Sequence, residues 1–167
     1  MDGHPRQPRV VRPFEEADTE PVIALSLRAW APVFASLENV LGGSGIFALM
    51  HNDWRADQRR AVEQACSSAD THVWVCEDSG QVAGFVAVQL HHEDKMGEIY
   101  MIAVDPAYQR RGIGSAMTGF ALSWMKENGM ALAMVETGGD PGHAPARRSY
   151  ERSGFVQLPI ARYFKKL

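Results

Sequence analysis

The stretch Gln109-Arg110-Arg111-Gly112-Ile113-Gly114 joins glycines, two arginines and the start of an amphipathic helix, a combination suited to holding an anion. Glycine lets a backbone approach a ligand with no Cβ in the way. The first turn of the following helix presents unpaired N–H groups and the positive end of its dipole. Arg110 and Arg111 add charge where a diphosphate would lie. Two nucleotide readings fail on residue type. No Gly-Lys-Ser/Thr occurs in the chain, and Gly112 and Gly114 are followed by Met117, where the dinucleotide fingerprint requires a small residue. The strand leading in also comes from a hairpin region and does not open a βαβ unit.

Other residues capable of chemistry are weighed against simpler roles. His91, His92, Glu93 and Asp94 read as a solvated hairpin end, with contact to an acceptor or base duty as the other reading. They do not read as a metal cluster, because adjacent residues on a strand point to opposite faces. Cys66 and Cys76 are too few for a disulfide framework and lack metal-ligand spacing. Cys76, in a strand-like run, reads as a buried, inert thiol. Arg147 and Arg148 suit either a phosphate or a solvated helix face. Trp30, Phe34 and Trp54 read as core.

These residues need elements to position them. Val10 to Phe14 reads as a first strand, and Asp18-Thr19 caps a helix carrying Val22, Leu25, Ala29 and Trp30 at helical spacing. Pro32 should end or kink that helix. Gly42-Gly43-Ser44-Gly45 is a connector, and Asn52-Asp53 caps a second helix to about Ser67. The period then changes: Thr71 to Glu77 and Gln81 to Leu90 form an antiparallel pair around Asp78-Ser79-Gly80, and Met96 to Val104 a third strand stopped by Asp105-Pro106. Ile113, Ala116, Met117, Phe120, Ala121 and Trp124 define the apolar stripe of the next helix, which Asn128-Gly129 ends. Met130 to Thr137 reads as a strand, Pro145 opens a helix ending at Gly154, and Phe155 to Phe164 holds one or two final strands. This order predicts a mixed α/β fold of the α+β kind, with one mostly antiparallel central sheet and helices on both faces.

Three blocks carry a family resemblance: Gly97 to Pro106, then Gln109 to Gly114 as a Q/R-x-x-G-x-G/A signature, then Ala146 to Phe155 as an A-x-x-x-Y-x-x-x-G-F ending. In order and spacing they resemble the GNAT superfamily of N-acetyltransferases, from about Thr71 to Phe155. The resemblance implies acetyl-CoA as cosubstrate and a sheet splayed at its site. It implies that the backbone at Ile102, Ala103 and Val104 holds the pantetheine arm beside a strand bulge. Backbone amides of Gln109, Arg110, Arg111, Gly112, Ile113 and Gly114, with Ser115, would hold the diphosphate. Tyr150 matches a tyrosine that protonates the departing thiolate in many members, although an aromatic on a helix can also be core. Glu98 lies where many members keep a carboxylate that removes the amine proton, although on an alternating strand it can also face solvent. His143 stands where the family often has an asparagine that contacts the cofactor arm. An alkylammonium of pKa ~10.4 must lose a proton before it attacks a thioester, so a base or water chain is required. No metal or covalent enzyme intermediate is required.

The bulk properties fit this reading. The 167 residues suit one domain, residues 1–167, with residues 1–8 as a loose lead-in. A net charge of -3 argues against nucleic acid as main partner and is compatible with a cationic one. The absence of a leader-like or membrane-spanning run makes the cytoplasm the default compartment. The expected reaction is acetyl transfer to a primary amine of a small cationic acceptor, with an aminoglycoside-like antibiotic among the candidates. A peptide or protein amino terminus is the alternative acceptor, and a non-catalytic acyl-CoA sensor the alternative function. A homodimer through Leu158 to Phe164 is compatible with the pattern.

Overall fold

The computed structural model describes residues 9–167; the expected lead-in, residues 1–8, lies outside them. Five strands form one sheet in the order β1-β2-β3-β4-β5. They are β1 Val10–Pro13, β2 Thr71–Asp78, β3 Gln81–His91, β4 Met96–Val104 and β5 Leu132–Val135. The first four pair antiparallel, and β5 joins β4 in parallel. Helices α1 Thr19–Leu41, α2 Ile46–Met50 and α3 Trp54–Ser67 precede β2. Helix α4, Ile113–Glu127, connects β4 to β5, and α5, Ala144–Arg152, follows β5.

Alternation on β3 divides the core in two. Phe85 and Ala87 pack with Val22, Ile23 and Leu25 of α1 and Val62 of α3. Val86 and Val88 face the other way, onto Ile113, Met117, Ala121 and Met125 of α4. Helix α4 approaches the sheet so closely that a Cβ on Gly97 would fall 2.5 Å from Met125 side-chain atoms, and one on Gly84 would fall 2.8 Å from Met117. The sheet therefore carries helices on both faces, with α4 held directly over β3 and β4.

Two expectations need correction. Of the two outcomes expected for Pro32, an end or a kink, the first is wrong: α1 runs on to Leu41. The proline is exposed, and the helix beyond it is tied down by tertiary contacts: Phe34 stacks on Trp54 with ring centroids 4.5 Å apart, and Ser36 bonds to Asp140. Residues 155–164 form no strand. Pro159 interrupts the run and no neighbouring strand receives it, so alternation alone cannot hold an isolated strand in water. Val156, Leu158, Ile160 and Tyr163 are exposed there. The Met130–Thr137 strand also shortens to Leu132–Val135. No helix among the described residues is long and apolar enough to cross a membrane.

Candidate active site

The parallel β4–β5 ladder ends at Ile99 and Val135. From Tyr100 to Val104 the β5-facing edge of β4 has no strand partner. On the other edge, Ala87 pairs with Met101 while Val88 pairs with Ile99, which leaves Tyr100 as an extra, exposed residue. This one-residue bulge bends β4 where β5 stops accompanying it. Ile102, Ala103 and Val104 thus lie on the unpartnered edge of β4, and the bulge sits just before them.

This edge leads to the N-terminus of α4. Asp105 caps a 3₁₀ turn, Pro106–Tyr108, by accepting from Ala107 N–H at 2.9 Å, and pairs with Arg28 of α1. Burial alone would raise the Asp105 carboxyl, but the bonds from Arg28 and Ala107 hold it below its usual range. Gln109 donates its side-chain amide to Val104 O at 3.1 Å, stapling the loop to the strand end. Arg110 and Gly112 both adopt left-handed backbone, at φ 59° and 79°. That conformation is strained for arginine and natural for glycine, and it turns successive N–H groups toward one concavity. Gly112 precedes Ile113, Gly114 and Ser115, whose N–H groups open the helix.

The arginines of the loop divide. Arg110 forms no ion pair among the described residues and is exposed. Arg111 lies over the Tyr108 ring at 5.2 Å and 3.8 Å from Asp78, while its carbonyl accepts from Arg9 at 2.8 Å. Arg147 donates to the carbonyls of Gly138 and Asp140, the latter at 2.9 Å, and so braces the β5–α5 loop.

That loop carries a network legible only in three dimensions. Asp140 accepts from Ser36 Oγ of α1 at 2.6 Å, from Gly142 N–H at 3.1 Å and from His143 Nδ1. Burial would raise the Asp140 carboxyl, but Ser36 and His143 outweigh it and hold it low. His143, committed to Asp140 through Nδ1, keeps Nε2 for other partners. Gly138 is required by the clamp, since a Cβ there would fall 2.5 Å from both Asp140 Oδ1 and His143 Nδ1. His143 opens α5, and Tyr150 lies two turns further along the same helix face. Tyr150 packs edge-on to Phe155 at 5.9 Å, and burial pushes its phenol up to about 12.

Glu98 lies on the opposite face of the sheet from α4, bonded to His91 Nε2 at 2.8 Å. The structure therefore joins His91, read from sequence as part of a solvated tip, to a candidate site residue. A groove between α1 and the β2–β3 turn is separate. Its charges are paired internally, Arg12 with Asp18 and Glu77 and Arg28 with Asp105. Among the described residues no group of three or more His, Cys, Asp or Glu side chains is arranged to hold a metal ion.

A slot beside a bulged strand, feeding a glycine-started helix, suits a thioester carrying a diphosphate. Residues 37–155 match the family model described as the acetyltransferase (GNAT) family. The chain belongs to this family. A mycothiol acetyltransferase of Thermomonospora curvata is 28% identical to this GNAT chain over 107 residues, covering 64% of the chain and 35% of that relative. The chain thus spans about a third of that relative's length. The ribosomal-protein-S18-alanine N-acetyltransferase of Escherichia coli superposes with a TM-score of 0.68 at 21% identity, covering 93% of this chain and 82% of that one. An aminoglycoside N-acetyltransferase in complex with CoA superposes with a TM-score of 0.62 at 12% identity, covering 99% of each chain. These two likenesses establish the GNAT fold.

Proposed function

We propose that this chain transfers the acetyl group of acetyl-CoA to a primary amine of a small, cationic acceptor by direct attack. The observation that carries the reading is the unpartnered β4 edge from Tyr100 to Val104, continuous with the open first turn of α4. The residues fit the cosubstrate. Gly112, Ile113, Gly114 and Ser115 offer N–H groups to a diphosphate, and Arg110 is free to add charge. The free strand edge offers peptide groups to an amide-bearing arm, and a β4 N–H can receive the thioester oxygen as charge develops there. Bound there, acetyl-CoA supplies the activated acyl group. In this reading His143 and Tyr150 act from α5, with Tyr150 as proton donor to the leaving sulfur. In this reading Glu98 serves the uptake of the amine proton, directly or through water. The sequence relative is named for mycothiol rather than for a protein, which favours a small acceptor. Glu93, Asp94 and Glu98 add negative potential on the strand ends.

The test is free-thiol release from acetyl-CoA across a panel of small amines, aminoglycosides and short peptides. Acceptor-dependent release with a polyamine or amino sugar is expected. Tight acetyl-CoA binding with no release for any acceptor would overturn the enzyme reading, and release with peptides alone would overturn the small-acceptor assignment.

A further inference from the structure

β3 and β4 pair Gln89 with Glu98 and His91 with Met96. Gln89 and His91 continue the face of Phe85 and Ala87, so His91 lies diagonally across from Glu98 on the side covered by α1 and α3. The pair grades from sheltered to open, with side chains 21% exposed at Glu98 and 39% at His91. A carboxylate only accepts hydrogen bonds, so the 2.8 Å contact requires a proton on His91 Nε2. The neutral ring then has one lone pair, on Nδ1, and no described side chain bonds to it. This is the carboxylate–imidazole arrangement in which the acid fixes the tautomer and stabilises the imidazolium that forms.

We propose that the proton leaving the acceptor amine is taken up by His91 Nδ1, with Glu98 as the positioning residue that holds the ring by its Nε2–H. The proposal rests on the amine-acetylating function proposed above and redistributes its base between two residues. An isolated carboxylate, near ~4.3, is a weak sink for the proton of an ammonium near ~10.4, whereas imidazole near ~6.5 closes about two pH units of that gap. The step balances: one ammonium N–H bond breaks, its electron pair stays on nitrogen for attack, and the proton passes through water to Nδ1. The imidazolium returns it to solvent, and no electrons change hands.

The surrounding charged groups are bonded elsewhere or exposed. The hairpin tip contributes His92, Glu93, Asp94 and Lys95, all exposed. β5 sets Met134 beside Glu98, and Gln89 is bonded to Thr71 of β2. On α1 and α3, Arg28 is paired with Asp105, Arg59 with Glu20 and Glu63, and Arg60 with Asp57; Arg55 lies over Trp54. Glu38 near the end of α1 is exposed. None of these is bonded to His91 or Glu98.

The experiment compares wild type, His91→Gln and Glu98→Gln in kcat against pH with the best amine of the panel, alongside nitrogen-15 NMR of the His91 ring. The wild type should show an acid limb in kcat and a single, Nε2-protonated neutral tautomer. His91→Gln should lower kcat about 100-fold and lose that limb, with KM for acetyl-CoA unchanged. Glu98→Gln should mix the tautomers while keeping part of the rate. An unchanged limb and kcat in His91→Gln, with Glu98→Gln inactive, would overturn the proposal and leave Glu98 as sole base. Absence of wild-type turnover with any amine would instead sink the underlying function, whatever tautomer His91 shows.

Discussion

Tyr150→Phe removes one oxygen and separates chemistry from packing. The Tyr150 hydroxyl bonds to no described residue, so its loss leaves no buried partner stranded, and the ring keeps its edge contact with Phe155. Stability should change by less than about 0.5 kcal/mol. The chemical effect is of another order. With its phenol pushed up to about 12 by burial, Tyr150 stays protonated across the usual assay range. A thiolate whose parent thiol lies near ~8.5 sits about 3.5 pH units below that donor, so complete transfer is uphill by about 5 kcal/mol even to the fully departed thiolate, and by more to the sulfur of the intact thioester. Tyr150 therefore acts by hydrogen-bonding to the sulfur as negative charge develops on it, with the proton finally supplied from solvent. The variant should therefore lose about 10²-fold or more in kcat while retaining its affinity for acetyl-CoA. Wild-type kcat should show no basic limb from the phenol below about pH 11. Thiol-release kinetics from pH 6 to 10, with cofactor binding by calorimetry, supply the readout. Retention of kcat within threefold would refute the donor role. A limb near pH 9 that vanishes in Tyr150→Phe would refute the burial argument.

Two further outcomes follow from the charge pairs and the tight loop. Asp18 is buried and held below its usual range first by its hydrogen bond to Arg12, at 2.7 Å. Its folded pKa is depressed, so its contribution is present above the unfolded value near ~3.9 and lost as pH falls through the folded one. Arg12→Leu should cost about 2–4 kcal/mol at pH 7, and the deficit should shrink below about pH 4; Tm against pH checks both. Gly138→Ala should cost about 1–3 kcal/mol by forcing Asp140 and His143 apart, and should weaken the hold of α1 on the β5–α5 loop. A Gly138→Ala melt within 1 °C of wild type would show that the clamp yields without cost.

The local devices of the site were legible in the sequence because each is written in adjacent residues. Gly112 and Gly114 mark a turn before a helix where backbone can come close to a ligand, and Asp105-Pro106 must stop a strand. The helix after Gly112 announces its buried face through Ile113, Met117 and Ala121. What escaped depends on distant partners. Nothing near Ser36 signals that it will meet Asp140, 104 positions away. His91 looked like a solvated tip because its bond to Glu98 exists only once the β3–β4 register is set. Pro32 failed as a stop signal because side chains on either side of it are anchored to other elements. Residues 155–164 failed as a strand because alternation reports a face and says nothing of a partner.

The bulge at Tyr100 has an evolutionary side. Ile99 and Met101 already face opposite sides of the sheet, so deleting the residue between them would preserve every inward and outward assignment and restore an uninterrupted ladder with β3. The bulge is thus one codon away from removal. Selection for foldability alone would favour that deletion, since it removes an irregularity and disturbs no core contact. The bulge is a worse sheet kept where β5 stops accompanying β4, and its loss would be silent in any screen that scored only whether the chain folds.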